Sequence, residues 1–205
     1  MIVRQNGSGT REKVLATARD LFIKNGYNGT SIRDIASASG TNVAHIKYYF
    51  DSKHNLFRVI FEEAFDVLVT RIFSTMNSGL PFFELVESWI DSYYEVLIKY
   101  PQIPIFVLNE IAHSPDNLIE KMKMYDPYSI FLKLDSIISA EIEKGTIKEA
   151  PTIDFVLNVL SMCVFPFVMK DIVTRVSNNS IEEYYKLLGS HKEYVKSFVL
   201  NAIKT

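Results

Sequence analysis

The sequence predicts an all-α protein with a small N-terminal three-helix head and a larger C-terminal helical body. Apolar residues recur with a period near 3.6 over most of the chain, whereas the period-2 alternation of half-buried strands is nearly absent. Gly, Pro, Asn and Ser clusters divide this pattern into helix-length segments. With 205 residues, of which 48% are hydrophobic and 22% charged, the chain is long enough to bury a substantial core.

The first fifty residues are predicted to form three short helices. The first runs from about 11 to 25, with Thr10 as its N-cap and Gly26 just beyond its end. The second begins after Thr30 and ends in a turn that contains Gly40, and the third follows that turn. The residues of the second and third helices that we expect to face inward are Ile35, Ala36, Val43, Ile46 and Phe50.

The rest of the chain is predicted to be a helical body whose segments are separated by helix breakers. A fourth helix starts near Ser52 and continues to about Met76. Pro166 lies inside a later segment and should kink it. The remaining segments are expected from Pro81 to about Tyr100, after Pro101 to about His113, a short stretch from Pro115, from Pro127 to Lys144, from Pro151 in a first turn to about Val173, and from Ile181 to Ala202.

The N-terminus and the cysteine content favour a cytoplasmic protein. The single cysteine, Cys163, excludes an intrachain disulfide and suits a reducing compartment. No apolar run follows a basic start at the N-terminus, so we expect no secretory signal. The apolar stretch 155–169 falls short of the ~20 residues that a membrane helix needs, and a buried helix is the better interpretation.

Charge is distributed unevenly between the head and the body. Residues 1–53 carry eight basic and four acidic side chains, a balance of +4, and the remaining residues carry 14 basic and 20 acidic ones, a balance of −6. A basic head on an acidic body is expected of a protein whose head alone meets phosphate, although an excess of this size also arises by chance.

Residues 30–53 have the outline of a helix-turn-helix, two short amphipathic helices joined by a turn that contains glycine. Ala36 and Gly40 supply small residues where the helices approach. The outer face of the third helix offers Asn42, Ala44 and His45 to base edges in a major groove. The side chains expected near DNA phosphates are Thr30, Ser31, Arg33, Lys47, Tyr48, Tyr49 and Lys53.

Several short motifs of the head occur in the order and spacing of a known family. From Arg11 through Phe57 the chain resembles the TetR/AcrR family of transcriptional regulators. It departs at Thr41-Asn42, where relatives often have Val-Ser, and at Ile46-Lys47, where they often have Leu-Tyr. The matching motifs are Gly26-Tyr27, Thr30, Ile35-Ala36, Gly40, Tyr49-Phe50 and Lys53-His54-Asn55-Leu56-Phe57.

The resemblance implies an all-helical homodimer that reads a near-palindromic DNA operator, with a small-molecule cavity in each body. The aromatic-rich body has the composition of an apolar pocket with few polar groups, although ordinary core packing is the leading alternative for any single residue. The candidate effector-binding residues are Trp89, Tyr93, Phe106, Asn109, Glu110, His113, Phe131 and Met162.

The last helix carries apolar residues at alternating spacings of three and four. This narrow seam suits a homodimer contact, and the alternative is packing of the same residues within the chain. The candidate interface residues are Ile181, Tyr184, Leu188, His191, Val195 and Phe198.

No arrangement of residues points to an enzyme. Glu110 and His113 have the spacing of a di-metal helical site, but the four histidines supply no second copy of that motif. No glycine-rich phosphate loop or paired-cysteine spacing occurs either, so we expect no metal and no cofactor.

These observations predict a ligand-responsive transcriptional regulator that binds a palindromic operator as a homodimer. Residues 1–53 would form the DNA-binding domain, and residues 54–205 the effector-binding and dimerisation domain. We expect it to act as a repressor that a small, largely apolar effector releases. The alternatives are a constitutive DNA-binding or assembly module without effector, and a helical enzyme.

Overall fold

The structure is a computed structural model that describes residues 6–101, 103–113 and 115–205, without the side chains at 6–8, 109, 113 and 117. Every regular element in these ranges is helical, which confirms the predicted all-α fold. The helices are α1 (Asn6–Asn25), α2 (Ile32–Ser39), α3 (Val43–Phe50), α4 (Lys53–Asn77), α5 (Phe82–Lys99), α6 (Ile103–His113), α7 (Pro115–Lys123), α8 (Pro127–Glu143), α9 (Thr152–Val168), α10 (Lys170–Ser177) and α11 (Ile181–Ile203).

The chain divides into two compact units, one ending at Asp66 and one running from Val67 to Thr205. The division falls inside α4, later than the boundary after residue 53 that the sequence predicts. The reason is that the first turns of α4 complete the core of the head. The Phe57 ring lies with its centroid 5.0 Å from that of Phe22 and 5.0 Å from that of Tyr27.

The first unit is a three-helix head closed by the start of α4. Helix α1 packs against both α2 and α3. It begins at Asn6, so the predicted N-cap at Thr10 is wrong, because that residue lies inside the helix. Val43 is half-buried rather than buried. The buried apolar residues of this unit include Val14, Ala18, Phe22, Ile35, Ala36, Ile46, Phe50, Leu56 and Ile60.

The second unit is organised around α5, which packs against α8, α9 and α11. Each fully buried aliphatic side chain of this core contributes roughly 1.5–3 kcal/mol relative to an exposed one. A three-helix contact of this kind is therefore a large part of the unit's stability. Its most deeply buried residues include Leu85, Val86, Ile90, Leu97, Val159, Cys163, Leu188 and Val195.

The segment predicted as one helix from Pro151 to Val173 is two helices. Pro151 precedes α9 as its N-cap, and the chain bends by 60° between α9 and α10. The bend follows Pro166, whose ring disrupts the helical hydrogen-bond ladder. The Pro166 carbonyl accepts a hydrogen bond of 2.5 Å from the Tyr184 hydroxyl, which ties the bend to α11.

Among the described residues no single helix has the length and apolar composition to cross a membrane. The bent pair formed by α9 and α10 passes that test by length and composition alone.

Candidate nucleic-acid interface

Helix α2 is held at both ends by local hydrogen bonds. Its N-cap is Ser31, whose hydroxyl accepts from the Asp34 amide at 3.2 Å while the Asp34 carboxylate accepts from the Ser31 amide at 2.8 Å. Its C-cap is Gly40, with φ of 63°, a conformation that glycine adopts without steric cost. The Thr41 amide then donates to the Ala36 carbonyl at 3.0 Å, which sets the direction in which α3 departs.

Helix α3 begins with Asn42 as its N-cap. The Asn42 Oδ1 accepts a hydrogen bond of 2.8 Å from the His45 amide. Ile46 and Phe50 are buried against the head. The opposite face of α3 is consequently turned to solvent. The predicted DNA-contacting residues that lie exposed there are Asn42, Ala44, His45, Lys47 and Tyr48, with Tyr49 half-buried beside Tyr48.

His45 is held by a second contact that the sequence motif did not single out. The Thr41 Oγ1 lies 3.1 Å from the His45 Nδ1. The other ring nitrogen, Nε2, is left as the one that can meet a partner. In the sequence, such a pair is signalled by a hydroxyl residue four positions before an exposed histidine. Thr41 is also one of the two residues at which this chain departs from the Val-Ser of many relatives.

The expected phosphate contact of the Thr30 side chain is wrong. Thr30 is 1% exposed, and its hydroxyl donates to the carbonyls of Gly26 at 2.9 Å and Leu21 at 3.1 Å. This threonine therefore fastens the end of α1 to the start of α2. Ser31, which is exposed, supplies the helix cap instead.

The Asp34 carboxylate of the capping box also changes the electrostatics at the start of α2. Hydrogen bonds from Ser31 lower the pKa of the Asp34 carboxyl below its ordinary value, so this group is ionised at neutral pH. The carboxylate occupies the position near the amides of α2 that an anion would otherwise take. Arg33, one residue before it, is exposed and remains available to a phosphate.

Lys53 has a structural role that the sequence did not predict. Its Nζ donates to the carbonyls of Tyr27 at 3.0 Å and Thr30 at 3.1 Å, and it lies 4.1 Å from the Tyr27 ring centroid. These bonds use two of the three N–H groups of the ammonium, and the phosphate contact of Lys53 stays a prediction. The ammonium ties the first turn of α4 to the loop between α1 and α2.

The predicted dimer seam on α11 is mostly interior. Tyr184, Leu188 and Val195 are buried within the chain because α11 packs on α5 and α9, so these three were wrongly assigned to an interface. His191 is half-buried, and its Nδ1 lies 2.6 Å from the Tyr94 hydroxyl. The alternative left open by the spacing, packing within the chain, holds for these residues.

A different face of α11 is apolar and exposed. Tyr194 and Phe198 stack with ring centroids 6.4 Å apart and are 68% and 51% exposed. Leu187 and Ile181 are also exposed on this helix, and α9, which packs beside it, exposes Leu157 and Phe165.

The contact between α5 and α11 is reinforced by charge. Asp91 accepts from Lys192 at 2.8 Å and from Lys196 at 2.7 Å. These lysines hold the pKa of the Asp91 carboxyl below its ordinary value, although its partial burial opposes them.

The candidate effector residues occupy different environments. Trp89, Tyr93 and Phe106 are buried, whereas Glu110, Phe131 and Met162 are half-buried. The Trp89 ring lies 6.4 Å from both the Tyr93 and the Phe155 rings, and burial raises the pKa of the Tyr93 hydroxyl. The side chains of Asn109 and His113 lie outside those that the structure describes.

Residues 14–60 match the family model described as bacterial regulatory proteins, tetR family. The match runs from within α1 through α2 and α3 to the first turns of α4. It includes every residue assigned above to the α2–α3 interface.

Proteins with similar sequences include several transcriptional regulators. The chain is 25% identical over 205 residues to "Probable HTH-type transcriptional regulator YttP" of Bacillus subtilis strain 168, covering 96% of this chain and 95% of that one. It is 22% identical over 141 residues to the biofilm operon icaADBC negative transcriptional regulator IcaR of Staphylococcus epidermidis, covering 63% and 76%. It is 43% identical over 47 residues to QacR of Staphylococcus aureus, covering 23% and 25%.

Solved structures share the fold over nearly the whole chain. A HlyIIR mutant structure has a TM-score of 0.63 at 23% identity and covers 98% of both chains. A TetR/AcrR-family regulator from Thermobifida fusca has a TM-score of 0.65 at 19% identity, covering 93% of this chain and 96% of that one.

Proposed function

This chain belongs to the TetR family of bacterial regulatory proteins, and we propose that it represses transcription by binding a palindromic operator as a homodimer. It is a transcriptional regulator and not an enzyme. The observation that carries the proposal is the exposed face of α3. Buried Ile46 and Phe50 hold one side of that helix, so that His45 and Lys47 project into solvent from the other.

Helix α3 is the element proposed to enter the major groove. Ala44 lies among the exposed residues of this helix and is small enough to let the backbone approach a thymine methyl group. Asn42 and His45 on the same face are proposed to contact base edges, whereas contacts to phosphate position the protein without reading sequence. The proposed phosphate contacts are Ser31, Arg33, Lys47, Tyr48 and Tyr49.

The homodimer is proposed to form through the exposed apolar face of α9 and α11. Leu157, Phe165, Tyr194 and Phe198 leave a large amount of apolar surface in water, which is typical of a protein–protein contact. A two-fold pairing would present two copies of α3 to successive major grooves, about 34 Å apart. The palindromic operator follows from that symmetry.

Release from DNA is proposed to follow binding of a small, largely apolar effector by the second unit. The contacting rings of buried Trp89 and Tyr93 support this choice of chemistry, as do buried Phe106 and half-buried Glu110 on α6. An effector that swings occupancy from 99:1 to 1:99 must prefer one state by about 10⁴-fold. Helix α4, which contributes residues to both units, is the covalent route for such coupling. A constitutive regulator with a filled core is the second candidate.

Selection of bound DNA from random sequence, with the full chain, tests the DNA-binding proposal. We expect enrichment of an inverted repeat whose half-sites lie about one helical turn apart. Recovery of unenriched DNA, together with salt-independent retention, would contradict operator binding. The effector proposal is tested separately, by screening apolar compounds for release of the selected operator.

A further inference from the structure

The polar side chains at the start of α3 are partly engaged in hydrogen bonds within the head. Two exposed polar side chains, Asn42 and His45, lie on its first turn. Each of them already uses one side-chain atom in a contact within the head, Oδ1 of Asn42 and Nδ1 of His45. What remains for DNA is decided by those internal contacts.

Asn42 uses its side-chain oxygen in the helix cap. Oδ1 accepts from the His45 amide at 2.8 Å, and only the oxygen of an asparagine amide can accept there, which settles the orientation of the group. Asparagine reads adenine bidentately by using both its oxygen and its nitrogen. With Oδ1 directed at the first turn of α3, Asn42 is not placed for that bidentate contact, and the group that it directs away from the helix cap is Nδ2 with its two N–H donors.

His45 is oriented by Thr41, whose Oγ1 lies 3.1 Å from Nδ1. The group at Nδ1 determines what the other ring nitrogen presents. If the Thr41 hydroxyl donates to Nδ1, Nε2 carries the proton and is a donor. The doubly protonated ring also has a donor at Nε2. Of the three forms of the imidazole, only the neutral ring with its proton on Nδ1 has an acceptor at Nε2.

The helix electrostatics favour the form in which Nδ1 accepts. Thr41 and Asn42 immediately precede α3, where the unpaired amides of its first turn create a partial positive charge. A nitrogen lone pair directed toward that charge is stabilised, whereas an N–H pointing toward it is not. Thr41 therefore donates, and His45 presents Nε2–H to solvent.

We propose that α3 reads base edges that accept hydrogen bonds, above all those of guanine, through Asn42 Nδ2 and His45 Nε2. Thr41 is the positioning residue that makes His45 Nε2 a donor. This inference rests on the proposed DNA binding by α3. Guanine is preferred because its major-groove edge carries two acceptors, N7 and O6, with no donor beside them. Adenine and cytosine place amino donors there.

The test uses the full chain and its selected operator, with single guanines replaced by 7-deazaguanine. This analogue keeps Watson–Crick pairing and loses only the N7 acceptor. We expect at least one replacement in each half-site to weaken binding by roughly 5- to 150-fold, the range of a good base contact. N4-methylcytosine at the paired cytosines, which alters a donor, should have a smaller effect.

Two variants test whether Asn42 and Thr41 cause the loss of binding to the 7-deazaguanine operators. Asn42→Ser keeps a capping oxygen and removes the amide donors, and Thr41→Val replaces the hydroxyl by a methyl group of similar shape. In each variant, binding to the guanine and 7-deazaguanine operators should become nearly equal at one position, while the thermal unfolding midpoint and the affinity for random DNA stay near wild type. Equal discrimination in Thr41→Val and wild type would overturn the positioning role.

Two failures are distinguishable. If the wild-type chain selects an operator but tolerates 7-deazaguanine at every guanine, or is weakened mainly by N4-methylcytosine, donor reading is overturned and operator binding stands. If the chain selects no sequence and binds DNA without salt dependence, the proposed function itself fails, and the inference with it.

Discussion

The Lys53 ammonium lies 3.0 Å from the Tyr27 carbonyl and 4.1 Å from the centroid of the same residue's ring. One side chain thus contacts both the backbone and the aromatic face of the loop between α1 and α2. The second carbonyl that it reaches, that of Thr30, lies just before the cap of α2. The position of the helix-turn-helix therefore depends on a charge that is bound within the head.

Replacing Lys53 by Met should destabilise the head. The variant keeps an apolar stem but leaves two carbonyls without a charged donor, which costs about 1–3 kcal/mol. Hydrogen exchange of the α2 and α3 amides in the full chain would report the loss as faster opening. Lys47→Met is the matched control, because Lys47 is exposed on α3 and its loss should leave exchange unchanged.

Lys47 is expected to act on DNA affinity. Loss of one phosphate contact should reduce the slope of log affinity against log salt by about 0.9 in magnitude for each protomer. Lys47→Gln should show this change in a titration against the selected operator at several salt concentrations. Lys186→Gln, at an exposed position of α11 in the second unit, removes the same charge and should leave the slope unchanged. A wild-type slope in Lys47→Gln would contradict the phosphate contact.

The two faces of α11 should respond differently to substitution. Phe198→Glu places a charge on exposed surface and should dissociate the dimer while each chain stays folded. Leu188→Ala opens a cavity in the core and should cost about 2–5 kcal/mol of unfolding free energy. Sedimentation velocity and thermal unfolding on both variants separate these outcomes. A monomeric, fully stable Leu188→Ala would restore the buried seam as the interface.

The Tyr184 hydroxyl should stabilise the bend between α9 and α10. Tyr184→Phe removes the donor to the Pro166 carbonyl and leaves that group unpaired, at a cost of about 1–3 kcal/mol. Urea unfolding measures the difference. Tyr194→Phe, at an exposed position of the same helix, is the matched control and should leave the urea midpoint unchanged.

Stability of the second unit should fall in mild acid through His191. Burial lowers the pKa of this imidazole below its ordinary value of 6.5, and the neutral ring lies against the Tyr94 hydroxyl. The unfolded chain therefore binds this proton first, so stability is full above pH 6.5 and declines as the pH falls from there to the folded-state pKa. The unfolding midpoint of His191→Gln should vary less between pH 7.5 and 5 than that of wild type.

The head was predictable because local chemistry and spacing determine most of it. Gly40 at a positive φ, the Ser31–Asp34 cap and the inward spacing of Ile35, Ile46 and Phe50 are signals within a few residues of one another. The start of α1 was missed because Thr10 looks like a cap whether or not the helix continues before it.

The partners of long side chains were not predictable. A lysine or a threonine near a helix-turn-helix is a residue type that commonly contacts phosphate. Nothing in the residues next to Lys53 shows that its side chain reaches back 26 residues to Tyr27. The seam of α11 presents the same problem. Its spacing indicates a packing face, but whether α5 or a second chain covers that face is not a local property.

By itself, the sequence determined the helical class, most helix limits and the exposed face of α3, because periodicity, caps and breakers act over one or two turns. Only the tertiary structure decided which apolar stripe of α11 is core, which cations are used within the protein, and which atoms of Asn42 and His45 remain for a partner. Those outcomes depend on contacts between residues that are distant in the chain or on the geometry of single atoms, and neither is encoded in residue type and spacing.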